Sequence, residues 1–216
     1  MTGRPRPTDS GIGGDFDAAF RALAGREPAA GPLSARLLRC YDEPHRAYHT
    51  RLHLGEAYQA LAQCRAVADR WHEVEVALWF HDAIYDVSRK DNEAHSADWA
   101  RDTVLAAGLP RDVAARVHAL VMSTQHDPVP PDTDAKIVVD VDLSILGAPP
   151  ARFDEYERQV REEYSAVPEA VYRAGRARVL RQFLERPAIF NTARFVGRYE
   201  RQARANLQRS IAKLGG

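Results

Sequence analysis

Thiol chemistry is nearly absent from this chain: Cys40 and Cys64 are the only cysteines in 216 residues, and they lack CxxC spacing. Two cysteines make a poor disulfide framework, so both are read as reduced core residues. No stretch approaches the roughly 20 consecutive apolar residues of a membrane span. The first 14 residues, MTGRPRPTDSGIGG, contain no apolar h-region and are read as a tail, not a signal peptide. A net charge is also missing. Thirty basic residues cancel thirty acidic ones, so no overall field draws the chain onto nucleic acid, although a local basic groove stays open. Internal repeats and low-complexity blocks are absent. What remains is the expectation of a soluble, cytoplasmic protein with one domain over residues 15–216, long enough to bury roughly 70% of its unfolded surface.

What the sequence does have is helical period, almost throughout. Phe16, Ala19, Phe20 and Leu23 mark a first amphipathic stretch that GREPAAGP breaks, and Leu33, Leu37, Leu38 and Tyr41 mark a second. In YDEP, Asp42 offers a cap and Pro44 a first-turn residue, which predicts a helix running on to about residue 66. RWHEVEVALWFHDAIY, residues 70–85, is apolar on most faces and reads as a central buried helix. Further helices are expected at 91–107 and 111–124, with Gly108 and Pro110 as stop and start. KIVVDVDL is β-branched, but no second such run exists to pair with it, so 134–146 is also assigned to helix. Helices at 150–165, 168–185 and 192–214 complete an all-α bundle. Trp71, Trp79 and Trp99 are core residues by default.

YDEPHRAYHTRLH, residues 41–53, concentrates three of the eight histidines at intervals of four. On a helix such positions lie one above the other, so His45, His49 and His53 are expected to project into a common space. Inside the most apolar segment, WFHDAIYD places His81 beside Asp82. A buried ionised carboxylate needs a partner. A divalent metal answers that need, because neutral imidazole and carboxylate are its usual ligands; a core His–Asp hydrogen bond is the simpler alternative. VVDVDLSILG adds Asp140 and Asp142, again carboxylates among Val, Leu and Ile. The order H…HD…D on predicted helices strengthens the metal reading.

YHTRLH, WFHDAIYD, DNEAHSA and DVDLSILG, in this order, resemble the HD-superfamily metal-dependent phosphohydrolases, over about residues 41 to 207. The resemblance implies an HD-type helical bundle with a metal-site core at about 41–146 and C-terminal helices at 150–214. It implies that His53, His81, Asp82 and an aspartate of DVDL hold the metal. YHTRLH is also similar to the YHNxxH stretch of cyclic-nucleotide phosphodiesterases, where the second histidine binds metal and the first is a general acid. That likeness assigns the proton-transfer role to His49 and favours Asp142, immediately before Leu-Ser, over Asp140. Thr50 departs from the usual Asn. His45 is placed outside the site, in a capping or surface role.

The same resemblance offers His126 for a second ion or for substrate phosphate; a favourable charge at a helix C-terminus is the alternative. It offers Glu93, Asn92 and Asp86, with Ser96, as residues that fix the ligands from behind, while Asp91 and Ser88 fit a helix cap. Arg161 and Arg176 are the expected phosphate contacts, arginine's planar fork suiting that task; surface ion pairs are the ordinary fate of such residues. His72, His95 and His118 are left as surface residues.

The expected activity is hydrolysis of a small phosphomonoester or phosphodiester, nucleotides among them. Asp82 and a divalent ion would activate water, and His49 would protonate the leaving oxygen. The ion's identity, among Mg, Mn, Fe, Ni and Zn, is not legible in spacing. Two other functions compete: a di-iron oxygenase that would use His126, and a metal- or nucleotide-binding sensor without turnover. A nucleic-acid polymer and a membrane are not expected as partners, and a homodimer is compatible with the chain.

Overall fold

The computed structural model describes residues 12–25, 33–126 and 129–215. Of the expected N-terminal tail, residues 1–11 lie outside this range, as do residues 26–32 of the expected break; residues 12–14 already belong to the first helix. In chain order the helices are α1 (Ile12–Ala24), α2 (Leu33–Cys40), α3 (Arg51–Leu61), α4 (Trp71–Phe80), α5 (Asn92–Ala106) and α6 (Arg111–Met122). They are followed by α7 (Thr133–Asp142), α8 (Pro150–Glu163), α9 (Glu169–Glu185), the single turn α10 (Ala193–Phe195), a π turn (Val196–Glu200) and α11 (Arg201–Lys213). No strand occurs among the described residues. The all-α expectation holds, in a single domain, and the β-branched run of residues 134–146 is helical as argued.

The centre is α4. Every residue from Glu73 to Phe80 is buried, because the segment is apolar on nearly all sides and has neighbours on each. Phe16 of α1 lies against Trp79 and Phe80, with ring centroids 5.1 and 6.1 Å apart. The α5–α6 hairpin covers another flank. Gly108 turns the chain there with φ +78°, a left-handed conformation that costs glycine nothing. The two glutamates on α4 are not left bare: Glu73 takes two bonds from Arg116 at 2.7 and 2.8 Å, and Glu75 accepts from Tyr58 at 2.7 Å. Helix α7 runs beside α3 and α4, and α8, α9 and α11 form a second layer over the turn at Leu143–Gly147. Gly147 is obligatory in that layer. A Cβ there would stand 2.5 Å from Tyr199 Cβ and 2.9 Å from its carbonyl oxygen.

One expectation fails. Residues 41–50 are a series of turns, and α3 begins only at Arg51. Thr50 is its N-cap, the hydroxyl accepting from Leu52 N at 3.3 Å. The fourfold histidine spacing therefore does not reflect a helix. Local pattern loses to two long-range anchors. Arg46, 6% exposed, donates to the carbonyls of Asp82 (2.6 Å), Ala83 (3.2 Å) and His49 (3.2 Å). Glu163 accepts the backbone N–H groups of Ala47, Tyr48 and His49 at 2.8–2.9 Å. Among the described residues no helix is long and apolar enough to cross a membrane.

Candidate metal centre

His53 lies in the first turn of α3. His81 and Asp82 lie just past the end of α4, and Asp142 is the last residue of α7. Helices α4 and α7 thus both end at one place, and a helix C-terminus carries partial negative charge that suits a cation. Ligand atoms of His53, His81, Asp82 and Asp142 all lie within 4.8 Å of one another. His53 Nε2 is 3.1 Å from His81 Nε2, 3.3 Å from Asp82 Oδ2 and 3.3 Å from Asp142 Oδ1. His81 Nε2 is 3.0 Å from Asp82 Oδ2 and 3.5 Å from Asp142 Oδ1. The imidazole side is sealed, with 3% and 0% exposure, while the carboxylates keep 17% and 15%. The group opens on its carboxylate side.

These four residues fit a divalent ion on three grounds. First, His81 Nδ1 sits 2.6 Å from the Leu78 carbonyl oxygen. That acceptor fixes the proton on Nδ1 and leaves Nε2 as a bare lone pair directed at the group. Second, Asp82 Oδ2 is buried close to both imidazoles yet hydrogen-bonded to neither. A buried carboxylate oxygen without a donor is costly, and a metal would satisfy it. Third, two carboxylates and two neutral imidazoles match the charge of a divalent cation. Without an ion, burial resists charging all four groups, but their mutual attraction prevails. Asp82 and Asp142 are held well below the ordinary carboxylate range by the imidazoles, and His81 and His53 are held above the usual imidazole value by the carboxylates.

Asp140 is not part of the group. Its carboxylate accepts from Asn191 N and Nδ2 (2.7 and 2.9 Å) and from Thr192 N and Oγ1 (2.7 Å each). It ties α7 to the start of α10 instead, which leaves Asp142 as the donor from DVDL.

The two carboxylates, Asp82 and Asp142, line a cavity of about 810 Å³, together with His49 and His126, while His53 and His81 lie behind them. His49 stacks on Tyr85, centroids 4.1 Å apart, and its Nδ1 lies 2.8 Å from Glu163 Oε2. Tyr85 donates its hydroxyl to the same oxygen at 2.8 Å. Glu163 thus receives five hydrogen bonds in a buried position. Burial opposes its charge, but His49 and the other donors win and hold it at about 2. Neither Glu163 nor Arg46 was singled out in the sequence. A signal for Glu163 exists: it follows Phe153, Tyr156 and Val160 at spacings of three and four, on the buried face of α8. For Arg46, in a turn without period, there is none.

The other candidates are distributed as follows. His126 Nε2 lies 2.9 Å from Asp142 Oδ2. It is the one non-glycine residue with positive φ (59°) among those described, and Arg186 holds its carbonyl. It stands behind Asp142, outside the four-donor group. His45 donates its Nε2–H to the Tyr85 carbonyl at 2.9 Å and does not line the cavity. Asn92 closes the loop after the HD pair through Asp86 N and O (3.2 and 2.9 Å), and Ser96 Oγ accepts from Ile84 N at 3.0 Å. The Asp86 carboxylate is turned to Ser88, and Glu93 lines the cavity. Asp91 occupies the N-cap position of α5, but its carboxylate bonds Arg89 and His95 rather than the helix. Arg161 stands apart from the donor group. Its guanidinium is engaged by Glu169 and the carbonyls of Tyr164 and Val167, closing the α8–α9 turn, and it does not line the cavity. Arg176 does line it, with its guanidinium held by Glu157 and, at 2.7 Å, by Tyr156 Oη. Arg178 of α9 and Arg186, just past its end, also line the cavity and were not anticipated.

Comparison with known protein families, with curated proteins and with solved structures finds no match for this chain.

Proposed function

We propose that this chain is a metal-dependent phosphohydrolase of the HD type, acting on a small phosphomonoester or phosphodiester. The observation that carries the reading is a group of four metal-ligating side chains whose two carboxylates open, beside a carboxylate-held histidine, into one cavity. A divalent ion bound by His53, His81, Asp82 and Asp142 would supply Lewis acidity, neutralising a phosphate oxygen and making water acidic near neutral pH.

The chain's own residues account for the remaining tasks. Glu163 accepts the Nδ1 proton of His49 and fixes the ring through Tyr85, so Nε2 is the atom that gains or releases a proton. His49 is the group that donates a proton to the leaving oxygen. Glu163 acts through it as a positioning residue, because its oxygens are fully occupied. His126 holds the second oxygen of Asp142 and so limits that carboxylate to one orientation.

The test is a panel of phosphate esters offered to the full chain loaded in turn with Mg, Mn, Fe, Ni or Zn. Hydrolysis is expected with at least one ion and none after chelation. His49→Ala is expected to keep its metal and to lose about 10²–10⁴-fold in turnover, the usual worth of a positioned acid. Full turnover by that variant contradicts the role of His49. A metal-loaded chain that leaves every ester intact overturns the hydrolase reading in favour of a sensor.

A further inference from the structure

The cavity continues well beyond the donor group, and its far wall is one face of α9. Val171, Gly175, Val179 and Gln182 all line it, at the three- and four-residue spacing of a single helix face. This face is unusual in two respects. Val171 and Val179 are 60% and 40% exposed, so apolar surface has been left uncovered inside a concavity. At its centre stands Gly175, a residue that weakens a helix interior, and a Cβ placed there meets nothing within 4 Å. No close approach of backbone explains this glycine. Elements other than α9 contribute the rings of Tyr85 and Tyr164 to the lining. The register of α9 is locked, since Arg176 is held by Glu157 and Tyr156 while Ala177 is buried on the opposite side.

We infer that this face of α9 is the wall against which the non-phosphate body of the substrate lies, that this body is bulky and largely apolar or aromatic, and that Gly175 sets its permitted size. The inference rests on the phosphohydrolase reading for which end of the substrate meets the metal donors. An open volume of about 810 Å³ is large for a bare phosphate or a three-carbon ester. Such a ligand would leave the tyrosines and valines facing water, whereas a ring system would cover them. Continuity with the donor group argues for a small molecule here rather than a protein surface: Asp82 and Asp142 line the same cavity as this face of α9.

Two phosphonates, which cannot be hydrolysed at phosphorus, separate this inference from turnover. The full chain, with and without added Mn²⁺, is titrated calorimetrically with 2-naphthylmethylphosphonate and with methylphosphonate. The naphthyl compound is expected to bind at least tenfold tighter. In Gly175→Leu, whose side chain enters the cavity, that preference is expected to fall to threefold or less while methylphosphonate binding and metal content stay as in the parent. Gly175→Ala serves as the folding control and is expected to raise the melting temperature by about 2–4 °C. Equal affinities, no binding of either compound, or a preference that survives Gly175→Leu overturns the inference. A preference without hydrolysis of any ester retains the wall and removes the hydrolase; hydrolysis of ethyl phosphate without a preference does the reverse.

Discussion

His49 and Glu163 stand 114 positions apart in the chain and 2.8 Å apart in the fold. Glu163 is a buried carboxylate whose folded pKa is depressed to about 2 from an ordinary 4.5. A depressed value means that its contribution to stability is complete above pH 4.5 and is lost as pH falls towards 2. The shift corresponds to about 3 kcal/mol. Glu163→Gln is therefore expected to be less stable than the parent by that order at pH 7, measured by urea unfolding, with the gap closing between pH 4.5 and 2. A gap that persists unchanged at pH 2 contradicts this account of the charge. The same variant keeps its metal donors, so a loss of turnover beyond the stability effect would report the orientation of His49. At this scale the sequence was partly legible. His81, Asp82 and the Asp140/Asp142 pair stood out because ionisable groups in apolar segments demand a partner, whereas His53 and the preference for Asp142 came from the resemblance to HD-superfamily phosphohydrolases. The pairing of His49 with Glu163 could not be read, because spacing on α8 marks Glu163 as buried but a hydrogen bond across 114 positions leaves no pattern that names its partner.

At the scale of elements, α7 separates two aspartates that the sequence left as alternatives. Positions two apart on a helix point roughly 200° from each other, so Asp140 and Asp142 cannot serve one site. Asp142 meets the imidazoles, whereas Asp140 holds the residues 191–192 segment by four bonds. Asp140→Asn is expected to cost about 2 kcal/mol of stability, since an amide cannot accept all four, and yet to bind metal in full at temperatures where it is folded. Loss of metal with stability unchanged would reverse the two assignments. Most elements were legible from period and punctuation: α4 from its all-round apolarity, the α5–α6 turn from Gly108 and Pro110, α7 from the lack of a partner strand. Residues 41–50 were not. Histidines at every fourth position imitate a helix, but a buried Arg46 and the backbone bonds to Glu163 impose turns that propensity does not foresee. Carboxylates recur in this role: Asp134 accepts Asp69 and Arg70 N–H, and Glu200 accepts Ile189 and Phe190 N–H. Three of the bundle's turns are thus fastened by carboxylates from other segments.

Considered as a whole, the molecule divides its work between two layers. Helices α3, α4 and α7 bring the donors to one point, and α8 and α9 supply the acid that orients His49 and the wall of the cavity. The bundle class was legible because nearly every segment shares one period; the cavity was not, because its lining joins residues from both layers that no single helix pattern connects. The central claim is that four side chains from three helices jointly bind one cation. It is tested most directly by metal content per folded chain, after reconstitution with each candidate ion and removal of excess. The account predicts about one ion per chain, and a thermal midpoint that rises with free metal because only the folded chain holds the four donors together. His81→Ala and Asp142→Asn, shown to be folded by circular dichroism, are expected to carry none. Equal metal content in the parent and in both variants would contradict the account.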